Sequence, residues 1–317
     1  MKILITGCSG NIGFVLCHYL TQKNIKVIGI DVIPNPIWNG HKNFKFYNTD
    51  VTNIKELKKV FSIEMPTHVI HLAFLMKPLH NKKKEYEIDV TGSKNVILSA
   101  IETKSVRQFI QASSISAYGG WPDNKLWLKE TDPLKPGKYR YGINKKDVEE
   151  YIQDCEKRED LKFVILRLCT VIGPSEYKKG GLVKLIVKSP ILARYSNMYC
   201  DVQFLHEEDL TKIIYLILHD SEIEGTFNLA PDSYSSIKDL VPEKVFINLP
   251  LRLIKIITGI LWFLRIAKMR PPAIQLSAYG IVVDGSKLIK RYNYKFKYTT
   301  LSGFRQVVEE KKKTGKL

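Results

Sequence analysis

Residues 2–13 of the chain read KILITGCSGNIG, and this stretch decides the fold. Its first part, Lys2–Thr6, is aliphatic at the centre and predicts a short buried strand. Glycines follow at positions 7, 10 and 13, and apolar residues then recur with helical spacing as far as Gln22. A strand that runs through a glycine turn into a helix is typical of the first unit of a parallel α/β sheet.

The same alternation of strand and helix continues through the first half of the chain. Further elements are predicted from short apolar runs and longer helical patterns: strands at 26–31, 44–48, 68–73, 107–113 and 163–168, and helices at 51–61, 85–102 and 141–157. Strands that alternate with helices build a parallel sheet covered on both faces. The sequence therefore predicts an α/β fold, a doubly wound parallel sheet of the Rossmann type with a smaller C-terminal substrate lobe.

The regular alternation ends after the sixth strand, and this change predicts the domain organisation. We expect residues 1–170 to form the cofactor-binding domain, which also takes in about 203–230. The remainder of 171–317 is expected to form mainly the substrate-binding lobe. That lobe shows a strand-like segment at 280–284 and a short C-terminal helix, whose tail we expect to fray from Glu309.

One helix of this lobe is apolar enough to be compared with a membrane helix. Residues 251–267 read LRLIKIITGILWFLRIA, with charges at Arg252, Lys255 and Arg265. The uncharged run between the last two has nine residues, whereas a spanning helix needs about 20. We therefore expect a helix buried in the protein and no membrane span, with a helix lying on a bilayer surface as the alternative.

The composition is that of an ordinary globular chain with a strong positive charge. There are 49 Lys and Arg against 32 Asp and Glu, a net charge of +17. The positive charge has three interpretations. It attracts an acidic ligand, it marks a surface that meets nucleic acid or anionic lipid, or it is a compositional bias without function. No long basic stripe with interleaved aromatics occurs, so we expect no nucleic-acid partner. Five cysteines without a CxxC pair predict neither disulfides nor a metal site and favour a cytoplasmic setting.

The glycine turn predicts a binding site for a dinucleotide. Glycine allows a tight turn and a close approach of the backbone to a pyrophosphate, and the following helix N-terminus offers unpaired N–H groups to that anion. The expected cofactor-binding residues here are Gly7, Gly10, Asn11, Ile12 and Gly13.

Two acidic positions extend this predicted site. Asp31 closes the second strand, where a carboxylate accepts hydrogen bonds from both ribose hydroxyls and repels a 2′-phosphate. This favours NAD over NADP as the cofactor. Asp50 and Val51 follow the third strand and are expected beside the adenine, with a helix cap as the alternative for Asp50.

Ser114, Tyr141 and Lys145 form a candidate catalytic set. Tyr141 and Lys145 are four residues apart and share one face of a predicted helix. A nearby ammonium favours the phenolate and lowers the pKa of the tyrosine, which can then move a proton. The YxxxK pattern occurs three times, beginning at Tyr19, Tyr141 and Tyr234. We favour the middle copy because it opens a long helix and follows a strand that ends in serines.

The chain resembles the extended short-chain dehydrogenases/reductases of the NAD-dependent epimerase/dehydratase family. The resemblance covers nearly the whole length. Its motifs, in order, are TGCSGNIG (6–13), Asp31, Asp50-Val51, HLA (71–73), DVTGSKN (89–95), SSISAYG (113–119), YGINK (141–145), LRLCTVIGP (166–174), QFLHEED (203–209) and GTFNLA (225–230).

The resemblance implies a role for each candidate residue. Ser114 matches the catalytic Ser/Thr, Tyr141 the catalytic acid/base, and Lys145 the residue that binds the nicotinamide ribose and tunes the tyrosine. Leu72 and Ala73 match the backbone that lines the cofactor. The family also implies a homodimer formed through the two long helices predicted at 85–102 and 141–157.

Several positions depart from the family pattern. Family members usually carry Asn at the positions of Asp89 and Thr170. Nucleotide-sugar enzymes typically have an Arg at the position of Val202, where it would clamp a diphosphate. The 4,6-dehydratases usually place an acidic pair at the positions of Ile115 and Ser116, so we do not expect dehydratase chemistry.

Three functional hypotheses remain, and the first is preferred. It is an NAD-dependent epimerase or oxidoreductase acting on a sugar, expected to be nucleotide-linked. The second is an NAD-dependent dehydrogenase or reductase of a less polar alcohol or ketone, of the hydroxysteroid-dehydrogenase kind, with the helix at 251–267 lining an apolar pocket. The third is a non-catalytic NAD-binding scaffold, which the intact Ser–Tyr–Lys set disfavours.

Overall fold

The computed structural model describes residues 1–34, 36–38, 40–175, 182–195 and 198–317. Strands lie at β1 (Lys2–Thr6), β2 (Lys26–Asp31), β3 (Phe44–Asn48), β4 (His68–His71), β5 (Gln108–Ser114), β6 (Lys162–Leu168), β7 (Thr170–Ile172), β8 (Ile191–Tyr195), β9 (Asp201–Val202), β10 (Phe204–His206), β11 (Gly225–Leu229), β12 (Ser235–Ser236) and β13 (Val245–Leu249). Helices lie at α1 (Asn11–Gln22), α2 (Ile54–Glu64), α3 (Lys82–Tyr86), α4 (Gly92–Glu102), α5 (Arg140–Asp154), α6 (Leu182–Lys188), α7 (Glu207–Leu218), α8 (Ile237–Leu240), α9 (Leu251–Phe263), α10 (Ile274–Ala278), α11 (Ser286–Tyr292) and α12 (Thr300–Lys313).

A seven-stranded sheet in the order β11-β6-β5-β4-β1-β2-β3 forms the centre of the fold. β1 pairs in parallel with β2 and with β4, and the outer pairs β2–β3 and β4–β5 are also parallel. The strand order reverses between β1 and β4, where Thr6 lies opposite His71. Ligands of open α/β sheets bind beyond the carboxyl ends of the strands at such a reversal. The predicted doubly wound sheet is confirmed.

The central strands are apolar on both faces because helices cover both faces. Ile3, Leu4 and Ile5 of β1 are fully buried. A single cluster of buried side chains joins Leu4 to Leu57 of α2 and Val148 of α5. Near-continuous burial explains why these strands read as unbroken aliphatic runs rather than alternating ones.

The chain divides into two compact units. Unit 1 contains Met1–Ser113, Asn144–Arg167 and Thr211–Phe227, and unit 2 contains Ser114–Ile143, Leu168–Leu210 and Asn228–Leu317. Residues 114–143 therefore group with unit 2, although the sequence placed them in the cofactor-binding domain. Backbone hydrogen bonds give the reason, since Leu128 N–H donates to Val282 O and Asp284 N–H donates to Leu128 O, both at 2.9 Å.

The predicted helix at 85–102 has a more complex structure. It begins earlier, at Lys82, and contains a π-helical turn at Glu87–Thr91 between α3 and α4. Single π-turns inside helices are frequent at functional sites because they turn one side chain away from its regular position. Asp89, one of the departures from the family pattern, lies on this turn.

Three predictions about the C-terminal third were wrong. Residues 280–284 form no strand and make only an isolated bridge between Leu128 and Val283. The C-terminal helix is not short, since α12 runs for 14 residues to Lys313, and Lys311 is buried rather than frayed. The apolar helix is not buried, because Thr258 is the one buried residue of α9. Among the described residues, none of the helices has the length and hydropathy of a membrane span.

Candidate active site

The loop after β1 has a backbone that only glycine can adopt. Gly7 has φ of +71°, and a Cβ there would lie 2.7 Å from the Ala73 nitrogen. A Cβ on Gly13 would lie 2.2 Å from the Gly7 carbonyl oxygen. Gly10 donates its N–H to that same oxygen at 3.0 Å and caps α1. The glycines therefore hold the loop tightly against the start of α1 and the end of β4, as a pyrophosphate cradle requires.

Asp31 lies at the end of β2, immediately beside this loop. Its two carboxylate oxygens accept hydrogen bonds from Ser9 N–H and Ile33 N–H, each at 3.0 Å. These bonds fix the orientation of the carboxylate while leaving further lone pairs for ribose hydroxyls. Asp31 is half-buried, and a carboxylate at the end of this strand can repel a 2′-phosphate.

The remaining predicted cofactor residues have simpler surroundings. Asn11 and Ile12 are the first two residues of α1, where backbone N–H groups lack helical partners. Val51 is buried, and its side chain would contact a Cβ on Gly92 at 2.6 Å. Asp50 is exposed and accepts from Thr52 N–H at 2.8 Å, so its contacts in the structure are those of a turn.

The backbone after β4 is held by an oriented chain of hydrogen bonds that the sequence did not predict. His71 Nδ1 lies 2.6 Å from Thr6 Oγ1, and Nε2 lies 2.8 Å from Ser93 Oγ. Ser93 donates its proton to Asp89 O, so we assign Nε2–H as the donor to Ser93 and Thr6 as the donor to Nδ1. Thr6 Oγ1 then accepts Ala73 N–H at 3.3 Å. Burial lowers the pKa of His71 to about 3, which keeps the ring neutral in this role.

Ser114 closes β5 and caps a 3₁₀ turn. Its hydroxyl oxygen accepts from Ser116 N–H at 3.1 Å. The turn packs against the start of α5, because a Cβ on Gly142 would lie 2.5 Å from Ser116 O. The sequence motif SSISAYG and the residue after Tyr141 are therefore brought into contact within unit 2.

Lys145 is the buried member of the candidate set. Its ammonium donates to Ala112 O at 2.6 Å and lies 3.6 Å from the centre of the Phe74 ring. The side chain is 3% exposed. Burial lowers the pKa of Lys145 to about 7, while the charges of Asp89 and Glu149 act in the opposite direction.

Comparison of the three YxxxK copies singles out the middle one. Lys23 is exposed and lies over the ring of Tyr19 at 5.7 Å. Tyr234 precedes a short strand, so Tyr234 and Lys238 do not share a helix face. Tyr141 and Lys145 alone lie on one helix with the lysine buried.

Asp89 forms a buried link to α5. Its carboxylate accepts from Leu75 N–H at 2.8 Å and from the Asn144 amide at 3.0 Å. Burial raises the pKa of Asp89 to about 6, against the hydrogen bonds from Leu75 and Asn144 and the charge of Lys145. The sequence identified Asp89 as unusual but missed Asn144, whose place inside the YGINK motif was the available signal.

The other departures from the family pattern belong to unit 2. Val202 is half-buried on β9 and Thr170 is exposed on β7. Ile115 and Ser116 are half-buried within the 3₁₀ turn after Ser114. Within the described residues, no three His, Cys, Asp or Glu side chains are grouped in a way that suits a metal ion.

A sequence profile of the NAD-dependent epimerase/dehydratase family matches residues 3–230. The match covers well over half of the chain and contains the glycine loop, Asp31, Ser114, Tyr141 and Lys145. The chain therefore belongs to this family, as the motifs predicted. The family is NAD-dependent, and the glycine cradle with an oriented Asp31 fits that cofactor.

The chain is similar to curated enzymes that act on nucleotide sugars. It is 27% identical over 280 residues to the dTDP-D-glucose 4,6-dehydratase of Dictyostelium discoideum, covering 78% of this chain and 62% of that protein. It is 29% identical over 187 residues to the UDP-glucuronate 4-epimerase of Thermodesulfobacterium geofontis, covering 54% of this chain and 56% of that protein. The alignments thus span less than two thirds of these relatives' lengths.

Solved structures show the same fold. The enzyme WbmG of Bordetella bronchiseptica, in complex with NAD and UDP, superposes with a TM-score of 0.81 at 21% identity, over 100% of this chain and 95% of that one. The UDP-glucose 4-epimerase of Thermotoga maritima, with UDP-glucose, gives 0.78 at 20% identity, over 99% of both chains.

Proposed function

We propose that the protein is an NAD-dependent epimerase of a nucleotide-linked sugar. The observation that carries this proposal is Lys145, a buried ammonium anchored to Ala112 O one helical turn after Tyr141. A cation so placed favours the phenolate of the tyrosine at neutral pH. The relatives support the substrate class, since the names of both describe enzymes that act on nucleotide sugars.

The cofactor half of the proposal rests on unit 1. The loop at Gly7, Gly10 and Gly13, with Asn11 and Ile12 at the helix start, would hold the pyrophosphate through backbone N–H groups. Asp31 would accept the ribose hydroxyls, while Asp50 and Val51 would flank the adenine, and Leu72 and Ala73 would line the middle of the cofactor. NAD, when bound, supplies a hydride acceptor that can also return the hydride.

Proton transfer is assigned to the residues of β5 and α5. Tyr141 Oη takes the proton of a sugar hydroxyl as that carbon is oxidised, and returns it when the ketone is reduced. Ser114 Oγ donates a hydrogen bond to the same oxygen. Lys145 Nζ stabilises the phenolate and holds the ribose. Because the same tyrosine takes and returns the proton, each turnover leaves the protonation of the enzyme unchanged.

Epimerase chemistry is preferred over the other reactions of the family. Elimination of water needs an additional acid and base, whereas Ile115 and Ser116 follow Ser114 in this chain. The alternative dehydrogenase of apolar alcohols relied on α9 lining a pocket. The apolar face of α9 is turned to solvent instead, with Phe263 84% exposed, so that argument loses its support.

The first test is the state of the cofactor in the purified protein. We expect denaturation to release NAD, and we expect UDP- or dTDP-sugars to interconvert without a rise in the absorbance of reduced nicotinamide. Stoichiometric NADH with an apolar alcohol would replace the proposal with the dehydrogenase. Bound NAD without turnover of any sugar or alcohol would favour the scaffold hypothesis.

Asp89→Asn tests the electrostatic part of the mechanism. Removing the Asp89 charge removes an interaction that raises the pKa of Lys145, so the ammonium loses its proton at lower pH. We expect the alkaline limb of the pH profile of kcat/KM to move to lower pH by about one pH unit. The fold should tolerate the change, because Asn144 has an unpaired buried Oδ1 and can turn its amide to accept from the new side chain.

A matched control is Asp154→Asn, at the exposed end of α5. It removes an equal charge from the helix that carries Lys145 and should leave the pH profile in place. A fall in kcat for Asp89→Asn at every pH, without movement of the alkaline limb, would show that Asp89 acts only by holding Leu75 and α5.

The assembly and location complete the proposal. We propose a homodimer through the helices around α4 and α5, and a cytoplasmic location. The five cysteines, all of which lie in the described part of the chain and are free, support a reducing compartment.

A further inference from the structure

Helix α9 presents an apolar face to solvent. Six large side chains lie on one stripe of the helix and its cap: Leu253, Ile256, Ile257, Ile260, Phe263 and Leu264, each at least 40% exposed. Their spacing of three and four residues keeps them on one side of a helix. The segment after α9 also exposes large apolar side chains, with Ile266 64% and Met269 41% exposed.

The opposite face of α9 attaches the helix to unit 2. Leu251 and Ile254 pack against a small buried cluster that includes Ile274. Lys255 donates to Gln275 Oε1 at 2.9 Å on the same side. The helix is thus held by its inner face, and the exposed stripe is not needed to fix its position.

The charge around α9 has a single sign. Between Glu243 and Asp284 the chain carries six cationic side chains and no acidic one. Arg252, Arg265 and Lys268 are exposed beside the apolar stripe. An apolar helix face bordered by cations is the combination that binds at the interface of an anionic bilayer, where the apolar side chains enter the headgroup boundary and the cations meet lipid phosphates.

We propose that α9 and the segment after it, residues 251–269, dock the protein on the surface of an anionic lipid bilayer. The 13-residue helix has a length of about 20 Å, which is too short to span a bilayer and suits a helix lying in its surface. This proposal is independent of the proposed activity.

A second copy of the chain fits this surface less well. A two-fold symmetric contact would place the same patch against itself. Arg252, Arg265 and Lys268 of both copies would then lie in one contact that contains no acidic partner from this segment, and like charges brought together oppose association. Anionic headgroups instead provide the complementary charge.

The test is binding to vesicles of phosphatidylcholine with and without phosphatidylglycerol, measured by flotation of the full-length protein. We expect binding to the anionic vesicles that weakens with salt. Ile260→Ser with Phe263→Ser should lower the partition coefficient at least tenfold. Arg252→Gln with Lys268→Gln should reduce the preference for anionic lipid. All four side chains are exposed, so these variants are expected to fold.

The control removes two exposed apolar side chains elsewhere, Ile63→Ser with Leu126→Ser, which are 55% and 50% exposed, and should leave binding unchanged. Equal binding of wild type and the Ile260/Phe263 variant would overturn the proposal. The proposal would also be overturned if sedimentation without lipid showed that the wild type self-associates and the Ile260/Phe263 variant does not. Sugar turnover in solution should be the same in all variants, so a failure here leaves the proposed activity intact.

Discussion

Tyr141→Phe is expected to lower sugar turnover by about 10²–10⁴-fold, while the protein keeps its NAD. The change removes only the phenolic oxygen that is proposed to take and return the substrate proton. The ring stays in place at the half-buried start of α5, where its centre lies 5.9 Å from that of Tyr139. Lys145 keeps its bond to Ala112 O, so the cofactor contacts of unit 1 are unaffected.

The chain contains a matched control for this experiment. Tyr19 belongs to another YxxxK copy and packs edge-on against Tyr215 at 5.9 Å. Tyr19→Phe should therefore leave turnover within experimental error. Turnover of each variant would be followed as interconversion of the sugar isomers, and NAD content would be measured after denaturation. Wild-type turnover by Tyr141→Phe would exclude Tyr141 as the acid/base.

The elements that the sequence predicted well are those defined by a local pattern. β1, β2, β3 and α1 have the predicted bounds, because a short strand between turns and a helix after a glycine loop leave clear signals. The glycine loop was predicted with its chemistry for the same reason. Its close contact with Ala73 was not visible, since it depends on the pairing of β1 with β4.

The predictions that failed were those that depend on which other part of the chain packs against or pairs with a given segment. Composition alone predicts that an apolar helix such as α9 is buried, and only the structure shows that no described residue of unit 2 covers its outer face. The segment at 280–284 has strand-like composition, but among the described residues its one bridge partner is Leu128. A π-turn inserts one extra residue into a helix, and this insertion leaves no periodic pattern in the sequence. The position of Asp89 on the π-turn could therefore not be predicted from residue spacing.

The candidate site shows the same division. Ser114, Tyr141 and Lys145 could be predicted as a candidate set because their order along the chain is itself the signal. Burial lowers the pKa of Lys145, and the charges of Asp89 and Glu149 act in the opposite direction. Sequence reasoning linked neither carboxylate to Lys145. Their effect arises from burial, which a sequence does not specify for a charged residue.

Arg167→Met is expected to lower the free energy of unfolding by about 3–5 kcal/mol. Arg167 donates from Nε and Nη2 to Glu149 Oε2 at 3.0 and 2.7 Å, and the two side chains are 5% and 1% exposed. Ser113 also donates its hydroxyl proton to this carboxylate. Methionine keeps much of the aliphatic volume but leaves a buried carboxylate with one remaining donor.

Urea unfolding would measure this loss against two comparisons. Glu149→Leu combined with Arg167→Met removes both charges and should recover most of the stability, because the penalty comes from the unpaired charge. Glu102→Gln breaks an exposed pair with Lys58, whose side chains are 44% and 53% exposed, and should cost less than about 1 kcal/mol. A loss for Arg167→Met as small as that of Glu102→Gln would contradict the assignment.

The same variant also probes the candidate site, because Glu149 lies one helical turn after Lys145 on α5. The charge of Glu149 raises the pKa of Lys145, and Arg167 offsets part of that charge through their ion pair. Without Arg167, the ammonium of Lys145 should keep its proton to higher pH. The alkaline limb of kcat/KM for Arg167→Met, measured well below its unfolding temperature, should therefore move to higher pH, opposite to the shift expected for Asp89→Asn. Two limbs that move in opposite directions would be difficult to explain by general loss of stability, whereas an unmoved limb in both variants would remove Lys145 from the proton-transfer mechanism.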